Sequence, residues 1–407
     1  MENFFKVKEI NEVIALKSTF PLMGTEIVEL FDSMGRVLAK DIYSDIDLPD
    51  FTRATMDGYA VCAASTFGAT EGVPIYLKIK GSIAMGEAPS FAISLGEAAK
   101  ISTGGMLPDG ADSVIMIEHT DVLDDSTIEI YKSLAPGQNV IHFGEDFKKG
   151  DILLKRGRKI RPQEMGLLAA FGHTSVSVYK QPVIGIISTG DEIIKIEDKP
   201  CLGQLRDINT YTLLGQIKEI GAKALKFGIV KDNLDELLNI AKKTIEQCDM
   251  VLISGGSSVG MRDYTISALS MLSNSNILVH GVAISPGKPT ILAKIENKAV
   301  WGLPGHVVSA MIVFKVVVKP FIDYISGLNS TEETKISAVL SRNIPSAQGR
   351  IDYIRVKLFK KDNMLLAEPV LGKSGLINTM VKADGLIEIP INVEGLKKES
   401  IVEVSLL

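Results

Sequence analysis

The sequence predicts a multidomain α/β protein. A domain with a mostly parallel sheet sits in the middle of the chain, a β-rich region precedes it, and a small β-barrel follows. Three observations carry this prediction. Between Gln181 and about Gly327, continuous apolar runs alternate with amphipathic helical stretches, which is the pattern of βαβ units. Before about Lys180, short strand-like runs are separated by Gly, Pro and Asp turns, as in a β-rich region. From about Asn329 to Leu407 the chain reads as strand after strand with turns between and no good helix, as a small barrel or sandwich does.

Taken in order, the first strands are expected at Ile75 to Ile79, Ala111 to Ile117 and Thr127 to Tyr131. "VLAKDIYSDIDLP" and "GEDFKKGDILLKRGRKI" flank this material and are expected to pair into a separate unit. Pro162 to Phe171 has helical periodicity, with its proline near the start, where a missing N–H costs nothing. "PVIGIIS" is apolar and β-branched throughout, as a parallel strand covered on both faces should be. Leu213, Leu214, Ile217 and Ile220 then share one helix face, and Gly221 supplies the stop. "ALKFGIV" reads as the next strand. Leu234, Leu237, Leu238, Ala241 and Ile245 give another helix, and "DMVLIS" another strand. A single long helix is expected from Val307 to Phe321. In the last region "KISAVLS", "IDYIRVKLF", "NMLLAEPV", "GLIEIP" and "SIVEVSL" read as strands.

Composition excludes several classes. A chain of 407 residues is long enough for several cores. Its net charge of −5 argues against broad nucleic-acid binding, which needs a basic face. Cys62, Cys201 and Cys248 are far apart and form no C-x-x-C pair, so reduced, buried thiols in a cytoplasm are the expectation. No apolar run is long enough to span a bilayer, and "MENFFKVKEI" lacks the layout of a signal peptide. The five histidines show no metal-ligand spacing such as H-E-x-x-H.

Chemistry is expected beyond the carboxyl ends of the parallel strands, where open α/β sheets bind ligands. Four unusual segments fall there: "STGDE" (Ser188 to Glu192), "SGGSSVG" (Ser254 to Gly260), "SPGKPT" (Ser285 to Thr290) and "GLPGH" (Gly302 to His306). Glycines let the backbone approach a ligand, and successive N–H groups at a helix start attract an anion. Gly255, Gly256, Ser257 and Ser258 therefore suit a phosphate. Asp191, Glu192, Asp232 and Asp263 gather on the same rim, which makes sense if Mg²⁺ bridges carboxylates and phosphate. For Asp232 alone, a solvated surface acid is an equally good reading. Lys288, between a glycine and a proline, suits an oxyanion. A second polar wall is formed in the first region by "DFTRATMDGYAV", with Asp57, and "ISTGGMLPDGAD", with Thr103.

Together, "GRVLAKDI", "LPDFTRATMDGYAV", "ISTGGMLPDGAD", "STGDE", "GQLRDINTYTL", "SGGSSVGMRDYT", "PGKPT" and "GLPGH" resemble the molybdopterin molybdenumtransferase family over nearly the whole chain. That family includes MoeA and the corresponding domain of gephyrin. The resemblance implies four domains: an elongated one from 1–46 and 140–180, an inserted β-rich one at 47–139, an α/β domain at 181–327 and a barrel at 328–407. The α/β domain would be like that of the molybdopterin adenylyltransferases MoaB and MogA. It further implies a homodimer, with each active site between the α/β domain of one subunit and the inserted domain of the other.

The reaction implied inserts molybdenum from molybdate into adenylylated molybdopterin, releases AMP and uses a divalent cation such as Mg²⁺. On matching positions, Asp57, Thr103, Asp146, Asp191, Glu192, Asp232 and Asp263 would be the functional acids and hydroxyl. Glu192, Asp232 and Asp263 would hold the metal, and Asp191 the adenylate or pterin. Lys288, Pro289, Ser309 and Ser374 would line the molybdate pocket with one arginine, either Arg350 or Arg355. A transient partner would be a molybdopterin adenylyltransferase; nucleic acid and membrane would not be partners. The chain departs from the family where "K-P-G-K-P" has Ser285 for its first lysine, and where "GLPGNP" reads His306 and Val307. Two alternatives stay open: a molybdopterin-binding, adenylyltransferase-like enzyme and a non-catalytic cofactor-binding scaffold. Tungstate also stays open as the oxyanion.

Overall fold

The computed structural model describes residues 7–255, 261–329 and 334–407, and for 261–263 the backbone alone. The chain divides into two compact units. One comprises Met1–Lys40, Arg156–Met165 and Thr174–Leu407, and the other Asp41–Lys155 and Gly166–His173.

In the second unit, six strands form one sheet: β1 (Gly58–Val61), β2 (Ile75–Ser82), β3 (Glu97–Ile101), β4 (Ser113–Met116), β5 (Thr120–Asp124) and β6 (Thr127–Ile130), in the order β4-β1-β3-β2-β6-β5. The glycine of "MDGYAV" is a packing requirement. A Cβ on Gly58 would lie 1.8 Å from the Ile115 carbonyl oxygen, so only glycine lets β1 and β4 pair at this point. The flanking segments do pair, Ile42–Tyr43 with Ile152–Leu154 and Leu48 with Phe147, but these pairs belong to this same unit and not to a separate one.

The other unit contains the α/β sheet: β7 (Val183–Thr189), β8 (Lys223–Val230), β9 (Met250–Ser254), β10 (Ser275–His280), β11 (Ile291–Ile295) and β12 (Lys298–Leu303), ordered β8-β7-β9-β12-β11-β10. β8, β7, β9 and β12 are mutually parallel, while β11 pairs antiparallel to both β12 and β10. The mostly parallel sheet of the sequence reading thus carries an antiparallel edge. Along the chain α1 (Ile10–Ala15) and α2 (Pro162–Ala170) come first; helix α3 (Asn209–Glu219) then buries Leu213 and Ile217, and α4 (Leu234–Gln247) buries Leu237 and Ala241. α4 starts where Asn233 Oδ1 accepts the N–H groups of Asp235 (2.9 Å) and Glu236 (3.1 Å), a side-chain cap for two otherwise orphaned donors. α5 (Met261–Ser270) follows β9.

The long helix expected from Val307 to Phe321 is not continuous. It runs as α6 (Val307–Val313), a π-helical turn at Phe314–Val318, and α7 (Lys319–Ile325). Pro320 has no N–H to give to the carbonyl a turn earlier, so the ladder widens before it and resumes after it. This element packs against the sheet through Trp301, Phe314 and Phe321, all fully buried, with the Trp301 and Phe321 rings edge-on at 4.9 Å. Burying side chains of this size contributes roughly 2–3 kcal/mol each.

The last strands, β13 (Lys335–Leu340), β14 (Ile351–Lys361), β15 (Met364–Pro369), β16 (Gly385–Ile389) and β17 (Ile401–Leu406), close on themselves, because β14 pairs with both β15 and β16. A five-strand barrel results, and closing the ring removes the exposed edges of an open sheet. One short helix, α8 (Asn378–Val381), interrupts a region expected to have none. The cysteines are free, but only Cys248 is buried, its thiol pushed up to about 11 by that burial; Cys62 is half-buried and Cys201 is exposed rather than buried. No helix among the described residues is long and apolar enough to cross a membrane.

Candidate active site at the strand ends

The parallel strands deliver their last residues to one rim. β7 ends in Ser188 and Thr189, both buried, after which Asp191 and Glu192 are exposed. β8 ends at Val230, and Asp232 follows. The two turns are locked by a reciprocal pair: the Asp191 N–H donates to Asp232 Oδ2 (3.2 Å) and the Asp232 N–H donates to Asp191 Oδ1 (3.3 Å). Lys231 Nζ donates to the Asp191 carbonyl at 2.9 Å rather than to a carboxylate. Asp232 Oδ1 is buried and has no hydrogen-bond partner among the described residues. Burial, and then the charges of Asp191 and Glu192, raise the Asp232 carboxyl above its ordinary range; the Asp191 N–H and Lys231 only partly oppose them.

The glycine loop starts against this pair. Gly255 has φ +136°, and a Cβ there would lie 2.1 Å from the Thr189 carbonyl oxygen and 2.3 Å from its hydroxyl. Only glycine lets the backbone leaving β9 pass so close to the end of β7. Thr189 Oγ1 is itself buried without a partner among the described residues. Gly256, Ser257 and Ser258 lie outside the described residues, as does the side chain of Asp263, whose backbone is in α5.

Under the rim lies a polar floor that the sequence reading missed. Ser188 Oγ donates to Asp207 Oδ1 (2.9 Å) and sits 2.9 Å from Thr210 Oγ1, and the Thr210 N–H donates to the same Asp207 oxygen (3.1 Å). Asn209 Nδ2 donates to Ser254 Oγ (2.7 Å) and to the Gly305 carbonyl (2.8 Å). The start of α3 therefore ties together the ends of β7 and β9 and the turn after β12. Its sequence signals were the run "RDIN" directly before an apolar helix face, which reads equally well as ordinary capping, and its place in "GQLRDINTYTL", to which no site role was assigned.

The third part of the site lies where the α/β sheet meets the barrel. The two-residue strand Ile284–Ser285 pairs parallel with β14, placing Ser285 opposite Asp352. The following turn is fixed by Thr290 Oγ1 donating to the Gly287 carbonyl (2.7 Å), and it presents Lys288, exposed, and Pro289, half-buried. The two candidate arginines differ. Arg350 Nε donates to Asp352 Oδ1 (3.0 Å), whose other oxygen accepts Ser346 Oγ (2.7 Å). Arg355 is buried, donates from Nη2 to the Gly372 carbonyl (2.9 Å), and its Nε has no partner among the described residues. Burial lowers its pKa.

The loop from Gly372 also carries Ser374. Its carbonyl accepts the Val308 N–H (3.0 Å), and its hydroxyl meets His306 Nδ1 at 2.8 Å. Ser309, buried, lies in the first turn of α6. Arg355 and His306 thus bond to the same loop, Arg355 at Gly372 and His306 at Ser374. Among the described residues no three His, Cys, Asp or Glu side chains are placed to hold a metal ion alone.

In the other unit, Asp57 Oδ1 accepts both the Thr103 N–H (2.7 Å) and the Thr103 hydroxyl (3.0 Å). These bonds, the backbone one first, hold the Asp57 carboxyl below its ordinary value. The two segments flagged in the sequence are therefore one wall. Asp146 is exposed, and its N–H donates to the Leu48 carbonyl (3.0 Å).

An α/β sheet with a glycine turn and paired acids at its strand ends, in a chain that also carries a closed β-barrel, marks a multidomain α/β protein. Family models agree along the chain. Residues 6–172 match the "MoeA N-terminal region (domain I and II)", residues 185–324 the "Probable molybdopterin binding domain" and residues 337–407 the "MoeA C-terminal region (domain IV)". The molybdopterin molybdenumtransferase of Bacillus subtilis is 32% identical over 403 residues, covering 98% of this chain and 94% of its own. A molybdopterin biosynthesis protein of Methanocaldococcus jannaschii is 38% identical over 389 residues, covering 93% and 92%. A crystal structure of a molybdopterin biosynthesis MoeA protein from Pyrococcus horikoshii superimposes with a TM-score of 0.84 at 30% identity, over 99% of this chain and 100% of that one. The chain belongs to the MoeA family, the molybdopterin molybdenumtransferases of molybdenum cofactor biosynthesis.

Proposed function

We propose that this chain transfers molybdenum from molybdate to adenylylated molybdopterin with release of AMP. The observation that carries the site assignment is Asp232. Its Oδ1 is buried and unpartnered among the described residues, its pKa is raised, and two further acids stand beside it. Such a cluster gains by taking a cation. Mg²⁺ is commonly held by one or two carboxylates together with substrate phosphates and water. Asp232 and Glu192 fit that habit as protein oxygens, and Asp263, whose side chain lies outside the described residues, is the third acid assigned from the sequence. When bound, the ion supplies charge neutralisation at the pyrophosphate.

The chain's own residues do the rest. Gly255 opens the phosphate cradle, to which the sequence assigns Gly256, Ser257 and Ser258 beyond the described residues, with Asp191 as the neighbouring acid. Lys288, Pro289, Ser309, Ser374 and Arg355 form the oxyanion pocket. Arg355 is favoured over Arg350 because its Nε is uncommitted, whereas Arg350 is engaged by Asp352. Directed N–H and O–H donors of this kind bind oxyanions well, and holding both substrates together supplies much of the rate.

The Asp57–Thr103 wall serves as the complementing wall from a second subunit of a homodimer. The four-domain division, the cytoplasmic location and transient contact with an adenylyltransferase belong to the same reading, with unpaired thiols supporting the location. The test is AMP release from adenylylated molybdopterin and Mg²⁺, with molybdate, with tungstate and with neither. Release that depends on an oxyanion is expected, and its rank order identifies the metal. No oxyanion-dependent release would refute the transferase reading.

A further inference from the structure

The Ser374 hydroxyl has one hydrogen, and whichever acceptor takes it decides what the serine can do. Its neighbour is His306 Nδ1 at 2.8 Å. The loop does not need this contact to stay in place, because the Val308 N–H already holds the Ser374 carbonyl (3.0 Å) and Arg355 holds Gly372 (2.9 Å). His306 is exposed and makes no side-chain cap for α6. The side-chain bond is therefore spare as structure. It is free to act on Ser374, one of the donors of the oxyanion pocket read above.

We propose that His306 positions Ser374: its Nδ1–H donates to Ser374 Oγ, which turns the hydroxyl hydrogen outward as a donor to the bound oxyanion. The proposal rests on the oxyanion-pocket reading above and deepens it. An asparagine carboxamide can offer the same N–H and leave the serine equally free, whereas an alanine cannot.

The test is a double-mutant cycle read by calorimetric titration of molybdate alone into the whole protein at fixed pH. His306→Ala and Ser374→Ala are each expected to weaken binding by about fivefold, the scale of one neutral hydrogen bond. The double variant should bind no worse than Ser374→Ala, because both changes delete the same donor. His306→Asn should rescue affinity to within about twofold of the parent, and melting temperatures should be unchanged throughout. His306→Ala binding like the parent would overturn the proposal, as would losses that multiply in the double variant. A parent protein that binds no molybdate would instead overturn the pocket reading itself, so the two failures are distinguishable.

Discussion

Two acids of the same unit show how differently a fold can treat a carboxylate. Glu164, in the first turn of α2 (Pro162–Ala170), is almost fully buried. It is answered completely: Arg158 donates from Nε (3.1 Å) and Nη2 (2.6 Å), Arg161 from Nε (3.0 Å) and Nη2 (2.7 Å), and the Arg161 N–H adds a fifth bond at 3.0 Å. The Arg161 side chain first, then Arg158 and the backbone, outweigh burial and hold Glu164 at about 2. Asp232 is less buried, yet it is opposed by Asp191 and Glu192, and its Oδ1 is unanswered. The first acid is satisfied by the protein. On the proposed reading, the second is left for the cation the site binds, since perturbed carboxylates cluster at functional sites.

Breaking the second acid should have the largest effect. Asp232→Asn is expected to reduce AMP release by about 10³-fold, the scale of losing a principal electrostatic group. The same change should raise the melting temperature at neutral pH. A carboxyl whose folded pKa is raised gives its stability below the unfolded value and loses it as pH rises through the folded value, so at pH 7 the ionised Asp232 is a cost. Melting curves across pH 3 to 8 should show the variant's advantage opening as the pH rises above the carboxylate range; a variant less stable than the parent at pH 7 would contradict this.

Gly255→Ala keeps every acid but pushes a methyl against Thr189. Misplacing the rim in this way should cost about 10²-fold in turnover, which steady-state AMP release would reveal. The arginines sharpen the contrast between answered and unanswered groups. Arg355→Met should weaken molybdate binding by at least about tenfold, as loss of a charge-assisted donor does. Arg350→Met should leave affinity within about threefold but lower the melting temperature, since it strips a partner from the buried Asp352. Calorimetry on both variants separates the roles.

Glu164→Gln should have the smallest effect on function. It removes charged bonds worth about 2 kcal/mol in stability and leaves AMP release unchanged. The pH sense is opposite to that of Asp232. A lowered carboxyl contributes stability above its unfolded value, and this is lost as pH falls from the ordinary glutamate range towards about 2. The parent's stability margin over Glu164→Gln should therefore shrink on acidification.

Much of this was legible in the chain. β7 announced itself as an unbroken apolar run because both faces of a parallel strand are covered. α3 and α4 did so because their apolar residues recur on one helical face. The rim could be located because polar, glycine-rich segments followed β7, β9 and β12. What stayed hidden depended on contacts between distant segments. Asp207 and Asn209 look like capping residues until β7, β9 and the turn at Gly305 converge on them. Pro320 was read through as part of one helix, because apolar periodicity continues across it while the hydrogen-bond ladder does not. The choice between Arg350 and Arg355 turns on Asp352 and Gly372, whose roles only the closed barrel reveals. The answered state of Glu164 likewise needs two arginines brought to one carboxylate.

The contrast between the two acids is tested most directly by one assay of molybdate-dependent AMP release run on the parent, Asp232→Asn and Glu164→Gln under identical Mg²⁺. The account predicts that Glu164→Gln turns over like the parent while Asp232→Asn, though folded and the more heat-resistant, releases almost no AMP. Parent-like release by Asp232→Asn would contradict it.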